Sequence, residues 1–209
     1  TNKISIDSST DPLIEDAVDF IADLRQVKDF SSLPIGRNVV VIGGGMTAID
    51  AAVQSQLLGA EKVTIIYRRN LENMSASKKE QNNATSKGVK IITNAVPISI
   101  NKQDGIHKLN LSYTDIDNKT GKLKELDQTF SIEADQVFCA IGQKFNNLLD
   151  VFKSNKGKIM IDDNCKTSVE NVWAGGDCVD KGEDLTVSAV AQGRNAAHAI
   201  HKSIFLNEE

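Results

Sequence analysis

The 209-residue chain has only three cysteines, Cys139, Cys165 and Cys178. None forms a C-x-x-C pair, so neither a dithiol redox centre nor a zinc ribbon is encoded, and a thioredoxin-reductase-like enzyme is excluded on that ground. An odd count without framework spacing fits a reducing cytoplasm, and Cys139 within Val137–Ile141 reads as a buried structural thiol. Basic residues are not in excess: 24 Lys and Arg against 28 Asp and Glu leave a formal charge of −4, which argues against sequence-independent nucleic-acid binding. Apolar runs are short. The longest, Asn38 to Gly45, cannot span a bilayer, and Thr1 to Asp11 lacks the basic and apolar regions of a signal peptide. Aromatic residues are scarce at 5%, with a single Trp. The two tyrosines, Tyr67 and Tyr113, are followed four residues later by Leu71 and Asp117, not by the lysine that short-chain dehydrogenase chemistry requires. Of three histidines, His198 and His201 lie three apart with no third ligand near, so they read as a solvated helix face rather than a metal site.

What is present is an ordinary balance for a folded domain, 40% hydrophobic and 25% charged. Asp11-Pro12 reads as a helix start, and Ile14, Val18, Ile21 and Leu24 predict a helix over about Leu13 to Val27. Asn38–Ile42 suits a strand buried on both faces. It runs into Gly43-Gly44-Gly45, then a helix over Met46–Leu58 closed by Gly59, then a β-branched strand Lys62–Tyr67. A further helix is predicted near Ala76–Ser86 and a strand over Val89–Thr93. Between Ala95 and Ala134 alternating runs and turn signals predict an antiparallel meander. Asp135–Ile141 returns to a buried strand. Lys158–Ile161 and Asn171–Trp173 read as short strands, and Thr186–Phe205 as a last helix with Ala189, Gly193, Ala197 and Ile200 on one face.

Gly43, Gly45 and Ala48 match G-x-G-x-x-[GA] between a strand and a helix, the context in which that pattern carries weight. Gly43 would permit the tight turn, Gly45 the approach of a pyrophosphate, and Ala48 close helix–strand packing. The helix N-terminus offers N–H groups and partial positive charge to phosphates. An NAD site places Asp or Glu about 20 residues past the glycines. Tyr67, Arg68 and Arg69 stand there instead, and a guanidinium binds a 2′-phosphate that a carboxylate would repel. The reading leans to NADPH over NADH. The alternatives for the arginines are surface ion pairs or stacking on the adenine. Ala174-Gly175-Gly176-Asp177 forms a second glycine cluster, ahead of the long helix that Thr186 begins.

The string Val39-Val40-Val41-Ile42-Gly43-Gly44-Gly45-Met46-Thr47-Ala48-Ile49-Asp50 resembles the nicotinamide-binding segment of the glutamate synthase small subunit family, which includes the flavin-containing subunit of bacterial dihydropyrimidine dehydrogenase. The resemblance continues through Leu58–Arg69, Val137–Gln143, Val172–Cys178 and Val190–Arg194. Ala17-Val18-Asp19-Phe20-Ile21 and Met74-Ser75-Ala76-Ser77 look most like the dihydropyrimidine dehydrogenase branch. It implies an NAD(P)H domain inserted into an FAD domain, with electrons passing from nicotinamide to flavin and on to a larger subunit or domain through iron–sulfur clusters. It places Gly44, Gly45, Met46 and Thr47 under the NAD(P)H pyrophosphate and ribose, and Arg68 and Arg69 at the adenosine phosphate. Ala140, Ile141 and Gly142 become the crossing between domains, in touch with the nicotinamide cofactor. Gly176 and Asp177 would hold the FAD ribityl–phosphate stem, with the Thr186 and Val187 amides at the flavin pyrimidine ring. Many members carry Asn or Asp where Met46 stands.

No side chain is expected to act as acid or base. The fold expected is therefore α/β: a Rossmann-like NAD(P)-binding domain with an antiparallel β insertion, plus the C-terminal part of an FAD-binding domain. The expected divisions are residues 1–35 as a helix and connection from a truncated FAD domain, 36–142 as the NAD(P)H domain, and 143–209 as the C-terminal FAD portion. The chain lacks the FAD half's own strand–GxGxxG–helix, so a partial chain is expected. A dinucleotide-binding fragment without turnover is the alternative, and self-association through exposed apolar surface is a further expectation.

Overall fold

The computed structural model describes residues 7–8, 14–104, 106–117, 120–143 and 151–205. The chain forms two compact units, Thr1–Gln143 and Lys144–Glu209.

The first unit contains β1 (Asp7–Ser8), β2 (Ile14–Asp16), α1 (Ala17–Gln26), β3 (Asn38–Gly43), α2 (Met46–Leu57), β4 (Lys62–Tyr67), α3 (Lys78–Ser86), β5 (Lys90–Thr93), β6 (Ala95–Gln103), β7 (Ile106–Ile116), β8 (Leu123–Glu133) and β9 (Gln136–Ala140). Strands β2-β9-β3-β4-β5 form a parallel sheet in that order. The side-chain alternation of β3 explains its run of valines. Val39 and Val41 point to one face, where Val63, Ile65 and Phe138 join Ala48, Ala51 and Ala52 of α2 and Phe20 of α1. Val40 and Ile42 point to the other, against Ile100, Leu109 and Leu111 of the second sheet. That sheet has the order β1-β6-β7-β8. Its β6, β7 and β8 pair antiparallel, and β1 joins β6 in parallel. Helices, parallel sheet and antiparallel sheet thus make three layers, and a strand buried on both faces must be apolar at every position. The fold is Rossmann-like, with the expected antiparallel insertion as its third layer.

Element boundaries follow local chemistry. The helix predicted from Leu13 begins at Ala17, because the Asp16 side chain caps it by accepting from Val18 N–H at 2.9 Å. Ile14–Asp16 is a strand, paired with Val137, Phe138 and Cys139. The proposed start at Asp11-Pro12 lies outside the described residues. Strand β2 and helix α1 belong to the first unit, where Phe20 stacks on Phe138 with ring centroids 4.3 Å apart. Helix α3 starts at Lys78 behind a capping box, Ser77 accepting from Glu80 N–H while the Glu80 carboxylate accepts from Ser77 N–H.

The second unit contains β10 (Ser154–Asn155), β11 (Lys158–Ile159) and α4 (Thr186–Phe205). Its small core gathers Ile159, Ile161, Cys165 and Val179, with Phe152, Trp173 and Ala196 packed around them. Asn171–Trp173 is not a strand; Trp173 makes only an isolated bridge to Lys166. The Lys166 ammonium lies 5.7 Å from the Trp173 ring centroid. The indole N–H is buried with no hydrogen-bond partner among the described residues. The α4 face expected to pack is only half right. Ala189 and Ile200 are half-buried, but Gly193 and Ala197 are exposed, and Gln192 and Ala196 take their place.

Candidate functional site

The strand order reverses direction between β3 and β9, and in open α/β sheets ligands bind in the crevice outside the carboxyl ends of the strands at such a switch point. A cavity of about 710 Å³ opens there. The sequence-predicted residues Gly43, Gly44, Gly45, Thr47, Arg68, Arg69, Ala140, Ile141 and Gly142 all line it, together with Tyr67, Ser75, Val96, Pro97 and Glu125.

The three glycines do different things. A Cβ on Gly43 would lie 2.2 Å from the Ala140 carbonyl oxygen, so this glycine lets β3 and β9 come together at their ends. A Cβ on Gly44 would lie 2.4 Å from the Tyr67 ring. Tyr67 therefore lies flat against the turn, its hydroxyl donating to Asn73 O at 2.6 Å. Gly45 meets nothing closer than Ser75 Oγ at 3.3 Å, and its open side is where a ligand could approach. No side chain caps Gly45 at the start of α2, while Ala48 N–H and Ile49 N–H both turn back to Gly45 O. Ala48 is fully buried, as close helix–strand packing requires. Met46 does not line the cavity; its side chain is 43% exposed.

Arg68 and Arg69 follow β4 directly. Their backbone is held by Thr114 Oγ1, which donates to Arg68 O at 2.8 Å, and by Asn94 N–H, which donates to Arg69 O at 3.0 Å. Both side chains are exposed, and neither makes an ion pair among the described residues. Anchored backbones with unpaired guanidinium groups suit the capture of an anion. Elsewhere on α2, Asp50 is exposed, yet partial desolvation raises its carboxyl above the ordinary value; Arg25 opposes the rise and Glu80 adds to it.

Gly176, Asp177, Thr186 and Val187 all belong to the second unit. Gly176 has φ +82° and sits against Ala189, where a Cβ would touch at 3.6 Å. Its N–H donates to Gln192 Oε1 at 2.6 Å, and the same side chain donates to Lys181 O at 2.7 Å. Gln192 therefore staples the glycine turn to α4. Asp177 is exposed; Thr186 and Val187 form the exposed N-terminal end of α4.

Sequence reasoning missed Tyr67 as a buttress, although its place at the end of the second strand was a signal. It also missed Glu125, for which the sequence carries no local signal. A charged residue in an alternating strand reads as solvent-facing.

Residues 7–193 match the family model described as pyridine nucleotide-disulphide oxidoreductase. The glutamate synthase [NADPH] small chain of Escherichia coli (strain K12) is 35% identical over 79% of this chain and 38% of its own length. The NAD-dependent dihydropyrimidine dehydrogenase subunit PreT of Salmonella typhimurium is 33% identical over 90% of this chain and 41% of its own length. The chain thus spans about two fifths of these relatives, and the resemblance read from the glycine turn and its neighbours is borne out. Among solved structures, thioredoxin reductase of T. acidophilum superposes with a TM-score of 0.62 at 25% identity, over 79% of this chain and 52% of that one. Among the described residues no helix is long and apolar enough to cross a membrane.

Proposed function

The chain belongs to the pyridine nucleotide-disulphide oxidoreductase family, and from that premise we propose that it is the NAD(P)H-binding, electron-input part of a flavoprotein oxidoreductase. The observation that carries this reading is the cavity at the switch point, where the glycine turn, an uncapped helix N-terminus and two unpaired arginines line one space. In this reading residues 36–142 are the NAD(P)H domain, residues 143–209 the C-terminal portion of an FAD domain, and residues 1–35 an N-terminal helix and connection from that FAD domain. Gly43, Gly44 and Gly45, with the amides of Met46 and Thr47, cradle the pyrophosphate, since bare backbone and a helix dipole favour negative charge. Arg68 and Arg69 take the adenosine phosphate, which favours NADPH over NADH. Ala140, Ile141 and Gly142 wall the nicotinamide side.

Gly176 and Asp177 border the ribityl–phosphate stem of FAD, and the Thr186 and Val187 amides face its pyrimidine ring. Because the Gly176 N–H is committed to Gln192, that border offers the Cα of Gly176 and the exposed Asp177 instead. When bound, the nicotinamide supplies a hydride that the flavin accepts; the chain positions both and contributes no acid or base. In this reading a larger, iron–sulfur-containing subunit or domain in the cytoplasm receives the electrons; the relatives' names, a small chain and a subunit, support a larger partner. The second reading is a dinucleotide-binding fragment without turnover, favoured by the chain's coverage of only about two fifths of those relatives.

Titration calorimetry tests the binding claim. Arg68→Glu is expected to weaken NADPH by about 10- to 100-fold, the scale of a lost charged hydrogen bond, and NADH much less. Equal losses would remove the 2′-phosphate assignment. An absorbance spectrum of the purified chain decides between the readings: stoichiometric flavin supports a complete redox site, and a colourless preparation supports the fragment.

A further inference from the structure

Three charged residues line the cavity among the described residues: Arg68, Arg69 and Glu125. The third comes from β8, in the antiparallel layer, which the reading above leaves without a role at the site. Its approach is built into the backbone. Ser112 faces Thr129, whereas Thr114 faces Glu125, so a step of two residues on β7 meets a step of four on β8. Ser112 Oγ secures this bulge by donating to Leu126 O at 2.6 Å. Bulges re-aim side chains and recur beside functional sites. Residues directly opposite in an antiparallel pair carry their side chains on one face, with Cβ atoms about 4.5–5.5 Å apart. Thr114 uses that face to donate to Arg68 O at 2.8 Å, so Glu125 stands on the side of β8 that meets the Arg68 segment. Glu125 is exposed and makes no ion pair among the described residues.

Dinucleotide sites that take NADH place a carboxylate on the ribose hydroxyls at the end of the second strand. Here that place holds arginines, and the carboxylate arrives from another strand. We propose that Glu125 is a specificity-determining residue: it stands beside the adenosine ribose and offsets the arginines' preference for a 2′-phosphate, so that the cavity takes NADH as well as NADPH. This rests on reading the cavity as an NAD(P)H site. The carboxylate accepts hydrogen bonds from free ribose hydroxyls, and it repels a phosphate monoester carrying nearly two negative charges. The two groups share one solvent-exposed space, so the effect is modest and weakens with salt.

The test is calorimetric titration of the chain with NADPH and with NADH at low ionic strength. Glu125→Gln is expected to tighten NADPH by about 3- to 10-fold and to loosen NADH by about 2- to 5-fold, the range for charges several ångströms apart at a wet surface. Glu125→Asp keeps the charge and is expected to keep the parent's ratio within about twofold. Arg68→Glu serves as the control for the site. If Glu125→Gln leaves the NADPH-to-NADH ratio unchanged while Arg68→Glu shifts it, the role of Glu125 is overturned and the site stands. If the parent chain binds neither nucleotide saturably, the NAD(P)H reading falls and this inference with it.

Discussion

Gly44 has no room for a side chain because Tyr67 occupies the space, whereas Gly43 has none because a backbone carbonyl does. The difference is testable. Gly44→Ala should cost about 1–3 kcal/mol through overpacking, and Tyr67→Ala in the same molecule should recover part of that loss, because the obstacle is a side chain. Gly43→Ala should find no such rescue at Tyr67. Chemical denaturation of the single and double variants measures the coupling. A positive result would also mark Tyr67 as the support of the glycine turn. The glycine pattern itself was legible, since its spacing between strand and helix is a local signal. Which neighbour each glycine accommodates was not, because Ala140 and Tyr67 arrive from other strands. Met46 adjoins the turn in sequence, yet its side chain is partly exposed and off the cavity lining.

At the scale of elements, long periodic segments were readable and short ones were not. Thr186–Phe205 and the buried strand at Asn38 follow from composition and period alone. Ile14 fits a helical spacing with Val18, but three residues of pairing with β9 hold it in a strand, and only the partner strand supplies that information. The bulge in β8 is harder to read: Phe130 and Ile132 keep a period of two, and only the three-residue step from Leu123 to Leu126 departs from it. Helix α2 carries Asp50 where Arg25 of α1 and Glu80 of α3 act on it, and partial desolvation raises its carboxyl above the ordinary value. A carboxyl raised in the folded state takes up its proton more readily there, so its penalty is full above the raised pKa and disappears as pH falls through it toward the ordinary range. Asp50 is itself exposed, so solvent keeps the effect small: Asp50→Asn should raise the melting temperature slightly at neutral pH, and the difference from the parent should close on acidification. Melting curves across the acid range check both the sign and the convergence. A constant difference at every pH would mean that packing, not charge, sets it.

For the whole molecule, the two larger core clusters draw only on residues of the first unit, and the third only on the second. A chain ending at Gln143 should accordingly unfold in one cooperative transition and keep the nucleotide affinity of the complete chain. Calorimetric melting and titration of the truncated protein measure both. A broad, non-cooperative melt would show that the three layers need residues beyond the first unit. The layered plan was legible as a class from the strand–glycine–helix–strand order. The packing of the meander on the parallel sheet was not, because no local signal states which face of Val40 and Ile42 meets Leu109 and Leu111.

The sparse aromatics divide along the same line. Tyr67 and Tyr113 belong to the first unit, and the single tryptophan, Trp173, belongs to the second, with its indole N–H buried and unpartnered among the described residues. The chain therefore carries its own pair of optical labels. Tyrosine emission reports on the unit that holds the cavity. Tryptophan emission under selective excitation reports on the other, and it should shift to the red when opening gives the indole water to bond. One unlabelled sample, read at two colours, can follow the loss of each unit separately.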